Sequence, residues 1–318
     1  MAAPTIAAPG PVAQPLRPTA LAAVFVLAAA AALTAALRVP AALTLIGLAC
    51  FGILHNALEL RYVTGRFAHV LNGRFLRLLL IPITGIVLCR AFRRGLWSQE
   101  AEILLGYGVL GVAAVHALRR RPLLLVAVGT VLIGAAASSL LFPAYHFVVL
   151  THVHNLVPLL FLIEWSRELP RGRATFLSAQ FLWVLVIPAL LLTGLFDHMS
   201  TVGPVALTTG YTPPMWLGTT VAARFLAVFA FLQTMHYVVW VWFMPRYGPA
   251  ATAAFEARLP DLRGIRGWAV GFAAATAVGA LFAADYAAGK SLYSCVATYH
   301  VYLEFPVVLL LILGSERE

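Results

Sequence analysis

The sequence predicts an all-α, polytopic integral membrane protein: a helix bundle of about ten transmembrane helices with both termini in the cytoplasm. Of its 318 residues, 62% are hydrophobic and only 11% are charged, whereas ordinary soluble domains carry about 25% charged residues. A soluble protein with this composition would expose large apolar surfaces to water. Apolar runs follow one another with short connections, and the basic residues gather on one side of them.

The length of each apolar run can be set against the length that a bilayer requires, which is about 20 residues at a helical rise of 1.5 Å per residue. Ten runs come close to this length, although the third is short. The fifth and sixth are separated only by Phe142 and Pro143, which predicts a tight helical hairpin. The predicted spans cover residues 20–37, 42–63, 75–92, 101–118, 122–141, 143–164, 175–196, 218–244, 266–286 and 293–314.

The distribution of basic residues predicts the orientation of the chain. Sixteen of the 22 Lys and Arg residues fall on the side of the N-terminal tail, five fall on the opposite side, and Arg224 lies within a span. Because basic loops stay in the cytoplasm, both termini are expected there, in a bacterial inner membrane. Residues 20–314 are predicted to form one transmembrane domain, between a disordered tail at 1–19 and a short tail at 315–318.

Several functional classes are disfavoured by the sequence. The net charge of +10 comes from loops between apolar spans, so it indicates membrane orientation and not nucleic-acid binding. Cys50, Cys89 and Cys295 show no CxxC spacing and therefore suggest neither a zinc ribbon nor a disulfide framework. The longest loop on the cytoplasmic side, Pro245–Arg266, is too short for a catalytic domain, so any chemistry is expected inside the membrane or at its edge.

Ionisable residues inside the spans are the main functional signal. Such residues are costly in a bilayer and by default mark functional sites. They lie on the second, sixth, eighth and tenth spans, and the histidines fall at estimated depths of about 10–27 Å from the outer end of each span, so one layer near the bilayer centre could contain them all. The candidate metal ligands are His55, Glu59, His152, His154, His236, His300 and Glu304.

Two of these spans carry the same His-Glu spacing. His55 and Glu59 are separated by four residues, as are His300 and Glu304, so each pair lies on one helix face. Dinuclear carboxylate sites in helix bundles also take His and carboxylate ligands from several helices, although their motif is Glu-x-x-His. A local hydrogen-bonded pair that lowers the cost of burial is the simpler interpretation.

The sixth span leaves an ambiguity between two histidines. His152 and His154 lie about 200° apart around a helix, so only one of them faces inward unless the helix is distorted. Pro158 could distort it by leaving the carbonyl of His154 without its helical donor. The sequence does not decide which of the two faces inward, nor does it establish that the four spans are neighbours.

The leading hypothesis is a membrane-embedded non-haem metal oxidoreductase that acts on a lipophilic substrate such as a lipid or isoprenoid. His and carboxylate ligands suit iron, and a di-iron centre is expected, with zinc and manganese as open alternatives. Glu59 and Glu304 are the predicted catalytic carboxylates. The expected partners are the bilayer, the substrate and an electron donor. Predicted outer partners of the ligands are Asn56, Asn155, Gln233, Tyr237, Tyr299 and Tyr302.

Two alternatives use the same histidines. A haem-binding electron-transfer protein would need two axial histidines, such as His154 and His236, and leaves Glu59 and Glu304 without a role. A proton-coupled transporter would use the His and Glu side chains as a relay. The HxxxH and HxxHH boxes of membrane fatty-acid desaturases are absent.

Overall fold

The computed structural model describes residues 17–92, 95–200 and 208–313, and these are helices joined by loops, without a strand among them. Ten helices are long and apolar enough to cross a membrane, so the prediction of a polytopic helical membrane protein is confirmed. The helices are α1 Pro18–Arg38, α2 Pro40–Arg66, α3 Gly73–Phe92, α4 Leu96–Leu118, α5 Pro122–Leu141, α6 Pro143–Glu168, α7 Arg173–Thr193, α8 Thr220–Tyr247, α9 Ile265–Ala284 and α10 Tyr286–Leu313.

Helix boundaries differ from the predicted ones mainly at two starts. α4 begins at Leu96 and not at 101, and α10 begins at Tyr286 and not at 293. In both cases the first turns carry polar residues, such as Glu100 and Lys290, which a hydropathy criterion assigns to loops. The ammonium of Lys290 lies 6.0 Å from the ring centroid of Tyr286, so the aliphatic stem covers the helix while the charge stays at its end. Of the tails predicted at 1–19 and 315–318, residues 1–16 and 315–318 lie outside the described residues, whereas Pro18 and Thr19 belong to α1.

The bundle has two faces, one at each end of its helices. Face A contains the start of α1, and face B is the opposite side, where α1 ends. Face A is closed around the end of α2: Arg66 pairs with Glu164 at the end of α6, and Arg61 pairs with Glu256 on the short helix Pro249–Arg258. A Cβ on Gly65 would lie 2.0 Å from the carbonyl oxygen of Ala251, so a glycine is required for this approach.

Helices α2, α6, α8 and α10 pack around the bundle centre, with α5 at the periphery. Twelve residues of the segment Thr220–Tyr237 of α8 are buried, whereas α5 has no buried residue. Because lipid tails are as apolar as leucine, close packing and polar contacts hold such helices together, not the hydrophobic effect. The four helices predicted to carry the site are therefore brought to one place.

Below the bundle centre, towards face A, α8 packs through a block of aromatic side chains. Trp240 and Phe243 are completely buried, and the Trp240 ring lies 5.3 Å from that of Phe161. The sequence around these residues is typical of an aromatic belt at the membrane interface. Because both side chains are buried, Trp240 and Phe243 instead belong to the packed interior on the face-A side of the bundle centre.

Candidate metal centre

Four histidines from four helices converge on one point. His55 on α2, His154 on α6, His236 on α8 and His300 on α10 each offer a ring nitrogen, and these nitrogens all lie within 4.8 Å of one another. Neighbouring rings have centroid separations of 4.6–5.2 Å and follow one another in a closed cycle. We call this set the histidine cluster.

The histidine cluster lies near the middle of the spans. Each histidine is between 11 and 16 residues from the face-B end of its helix, as the helix bounds give it. At 1.5 Å per residue this places the four rings about 17–24 Å from that end. The common layer expected from the sequence is therefore present, because helices of similar length place these positions at similar depths.

Hydrogen bonds to one ring nitrogen identify the free nitrogen in two members of the cluster. His55 Nδ1–H donates to the carbonyl of Phe51 (3.1 Å), and His154 Nδ1–H donates to Glu304 Oε2 (2.7 Å). In a neutral imidazole the other nitrogen then carries the lone pair. His154 Nε2 lies 3.2 Å from His300 Nε2, so these two nitrogens face each other at the centre.

Both carboxylates lie beside histidines of other helices. Glu304 on α10 accepts from His154 on α6, and Glu59 Oε2 on α2 lies 3.5 Å from His236 Nε2 on α8. The His-Glu spacing within α2 and α10 thus serves to place a histidine and a carboxylate at successive levels of one face. In both cases the histidine beside the carboxylate comes from another helix, and Glu304 is the one that is hydrogen-bonded to its histidine.

Local irregularities of the helices occur next to three of the four histidines. A π-helical turn at Gly47–Phe51 ends four residues before His55, and another at Val238–Phe243 begins two residues after His236. In α6 the regular helix is interrupted at Val157, whose N–H is shared by the carbonyls of Val153 and His154. Pro158 causes this because it has no N–H to donate. Such π turns are frequent at functional sites.

Many polar atoms of the histidine cluster and of the two carboxylates beside it have no hydrogen-bond partner among the described residues. Of the sixteen buried side-chain atoms without a partner among the described residues, six belong to His236, His300, Glu59 and Glu304. Each unsatisfied buried group costs about 1–3 kcal/mol, so six at one place are expensive unless something binds there. They are the strongest structural sign that the cluster is a binding site.

A cavity of about 190 Å³ adjoins the cluster on the side of face B. His55, His154 and His300 line it at the inner end, and Arg90 and Lys290 line it further out. Tyr211, in the loop between α7 and α8, also lines it and stacks on Phe229 at 3.9 Å. Burial raises the pKa of the Tyr211 hydroxyl, which keeps this group a neutral hydrogen-bond donor.

His152 lies outside the cluster. Its Nε2–H donates to the carbonyl of Tyr211 (2.8 Å), so the ring is directed towards the loop between α7 and α8. The inward residue of α6 is therefore His154. The angle of about 200° between the two positions explains why they cannot share one site.

The predicted outer partners fall into two groups. Asn155, Gln233 and Tyr237 line the cavity, and the Tyr237 ring lies 4.6 Å from that of His55. Asn56 is buried next to His55, and both polar atoms of its amide lack a partner among the described residues. The structure does not bring the other two to the cluster. Tyr299 pairs with Thr84 of α3, and Tyr302 donates to Glu102 of α4.

Sequence reasoning missed three residues near the cavity. Tyr293 lines it, packed so closely on α2 that a Cβ on Gly52 would lie 2.7 Å from its ring. Arg90 and Glu102 form a buried ion pair between α3 and α4. Glu102 is an ionisable residue inside a helix, so the rarity criterion applied to the histidines could have found it; its position at the edge of the predicted fourth span concealed it.

The geometry of the cluster fits a metal ion. Two nitrogens bound to one ion at about 2.0–2.1 Å lie roughly 3.3 Å apart at the tetrahedral angle and about 4.2 Å apart at most. The 3.2 Å between His154 Nε2 and His300 Nε2 matches the first value, and the 4.8 Å limit of the whole set lies slightly above the second. A carboxylate behind a ligating histidine, as Glu304 stands behind His154, is the usual support of such a ligand.

The chain was also compared with known proteins. No family model, no curated protein and no solved structure matches it. The function therefore has to be inferred from the site itself.

Proposed function

We propose that this protein is a membrane-embedded non-haem metal oxidoreductase that acts on a lipophilic substrate, such as a lipid or isoprenoid, in a bacterial inner membrane. One observation carries the proposal: four histidines from four helices meet in mid-membrane beside a cavity. Imidazole ligands suit iron, zinc, copper and nickel. Of these, iron is our choice, because it would supply the activation of dioxygen that oxidation of a lipophilic molecule requires.

The geometry favours one ion over two. The four ring nitrogens surround a single point, and Glu304 is hydrogen-bonded to His154 on the side away from His300. We therefore assign to Glu59 and Glu304 the role of orienting the histidines and holding a proton at Nδ1 or Nε2. In this assignment they are not the bridging ligands of a di-iron centre. Three of the four histidines border the cavity, which supports a ligand set with room for substrate chemistry.

The surroundings of the site are consistent with a lipophilic substrate. The ion pairs at the end of α2 lie on face A, and the cavity lies on the side of face B. Dioxygen dissolves in the bilayer, and an electron donor is needed where only one of its atoms enters the substrate, since an electron pair then reduces the other atom to water. Both termini would lie in the cytoplasm, as the basic residues indicate.

The test is metal analysis by mass spectrometry, with an optical spectrum, on protein purified in detergent. We expect about one iron per chain and no Soret band, and loss of most of that iron in His154→Ala, because a lost ligand weakens the site directly. His152→Ala is the matched control: the same residue type, two positions away on the same helix, directed elsewhere. It should retain the iron.

Other outcomes would change the assignment. Two iron atoms per chain would restore the di-iron centre with both glutamates as ligands. A Soret band with one haem per chain would favour the electron-transfer alternative. If growth with added iron, zinc and manganese yields no metal, the proposal is wrong, and the His and Glu residues become candidates for a proton relay, to be tested by proton flux in liposomes.

A further inference from the structure

A second recess lies on the lipid-facing side of the bundle, between α4, α5, α6 and α10. It consists of two adjoining hollows of about 150 Å³ and about 430 Å³ that share Tyr107, His146 and Val149. We call it the lateral groove. Most of the other residues that line it are apolar, among them Val109, Leu110, Leu150, Val153 and Phe305.

One place in this apolar groove is polar. Tyr107 and His146 both hydrogen-bond to the hydroxyl of Ser139, each at 3.0 Å, and His146 uses Nδ1 for this contact. His146 Nε2 is buried and has no partner among the described residues. His146 lines both hollows, and its buried nitrogen would gain from a hydrogen bond to one hydroxyl or carbonyl group, because a buried polar atom without a partner is costly.

The groove is suited to an uncharged molecule. Among the described residues, neither hollow is lined by Lys, Arg, Asp or Glu. Behind Tyr302, Arg90 and Glu102 are paired with each other, and the Tyr302 hydroxyl donates to the same carboxylate. A fatty-acid carboxylate or a phosphate would thus be desolvated without a cation, which is strongly unfavourable.

The lateral groove adjoins the cavity beside the histidine cluster. Leu150 lines both the groove and the cavity beside the cluster, so its side chain separates the two spaces. Val153 precedes His154, and Phe305 follows Glu304. Eight residues separate His146 from His154 along α6, which corresponds to about 12 Å.

We infer that the lateral groove is the substrate site, and that it binds a neutral, elongated apolar molecule with one hydroxyl or carbonyl group at its end. The end group bonds to His146 Nε2, and the chain passes Leu150 towards the cluster. The helix then acts as a ruler: the part of the molecule about 12 Å from its end group reaches the histidines. Only this last step rests on the proposed function; binding in the groove does not require the metal.

The test uses photoreactive probes on the purified full-length chain in nanodiscs. Octadecanol and geranylgeraniol, each with a diazirine on the chain, are compared with octadecanoic acid and octadecane that carry the same group. Labelled peptides are identified by mass spectrometry, with the metal retained and after its removal. We expect at least one of the two alcohols to label α4 and α6 around the groove. Stronger labelling by octadecanol would identify a straight-chain ligand, and stronger labelling by geranylgeraniol would identify an isoprenoid ligand.

Two variants sharpen the test. His146→Leu removes the end-group partner and should lower alcohol labelling by about 3- to 10-fold, the usual worth of one hydrogen bond. Leu150→Trp enlarges the side chain that separates the two spaces and should abolish labelling next to His154 while labelling near His146 persists. Val126→Trp on the exposed surface of α5 is the control for a tryptophan in the bilayer and should change neither.

Equal labelling by alcohol, acid and hydrocarbon would overturn the inference, as would His146→Leu labelling at the level of the unmodified chain. The two proposals fail separately. Alcohol-specific labelling in a protein that binds no metal would support the lateral groove as a binding site and contradict the proposed oxidoreductase. Iron binding with non-specific labelling would support the metal centre and contradict the groove as a binding site.

Discussion

Helices α8 and α5 are both apolar enough to span the membrane, yet they have opposite positions in it. The mean hydropathy of α5 is 2.2 and that of α8 is 1.5. The more apolar helix is the peripheral one, without a buried residue, and the less apolar one is central. In a bilayer the most hydrophobic surfaces face lipid, so lower hydropathy and scattered polar residues, such as Gln233 and His236 in α8, mark the interior.

The largest effect expected from this comparison is on stability. Leu232→Ala in α8 should lower the free energy of unfolding by about 2–3 kcal/mol, because a buried leucine leaves a cavity while the transfer contribution is small in lipid. Leu123→Ala in α5, where the side chain is 88% exposed, should stay within about 0.5 kcal/mol. Unfolding in mixed detergent measures both, and equal losses would contradict the assignment of α5 to the periphery.

A smaller effect concerns metal affinity. Glu304→Gln weakens the contact that orients His154, and we expect metal affinity to fall by about 10- to 100-fold, as is usual when the partner of a ligating histidine changes. Competition with a chelator measures it. Glu100→Gln on the exposed start of α4 serves as the control. Unchanged metal affinity in Glu304→Gln would show that Glu304 does not support His154 as a ligand.

The smallest expected effect is a change in stability that differs in sign between alanine substitutions at two glycines. A Cβ added to Gly129 in α5 would meet no atom of the described residues within 4 Å, so Gly129→Ala should stabilise the helix by about 0.5–1 kcal/mol. Gly52 in α2 lies against Tyr293, and a Cβ would approach its ring to 2.7 Å. Gly52→Ala should therefore lose this gain or destabilise the protein. Thermal unfolding of both variants measures these changes in stability. An equal gain in stability in both would show that the Tyr293 ring moves aside without cost.

Much of the fold followed from hydropathy, and the site followed from it in part. Ten spans were predicted because each is a separate apolar run, and the start of α10 was misplaced because Lys290 lies inside a helix. His55, His236 and His300 could be selected by the rarity of charge in a bilayer. His152 and His154 could not be separated, because their orientation depends on the rotation of α6 in the bundle, which packing determines.

The partners of the carboxylates were beyond the sequence for a related reason. Spacing within α2 suggested a pair of His55 and Glu59, whereas Glu59 lies beside His236 and Glu304 beside His154. Contacts between helices depend on which spans are neighbours, and one unaligned sequence contains no record of that. The lateral groove was invisible for the same reason, since Tyr107, Ser139 and His146 come from three helices.

The π-helical turn at Gly47–Phe51 has a consequence for how this protein can change over generations. A π turn uses one residue more than an α turn. Deletion of a single codon within the turn would restore a regular helix and leave His55 at nearly the same angle, because the turn had absorbed the extra residue. Deletion of a codon in the regular helix between this turn and His55 would instead rotate His55 by about 100° relative to the preceding part of α2. The reading frame and the hydropathy would survive such an event, and the ligand set would not. The histidine cluster is thus one small genetic step from being dismantled in a chain that still inserts into the membrane.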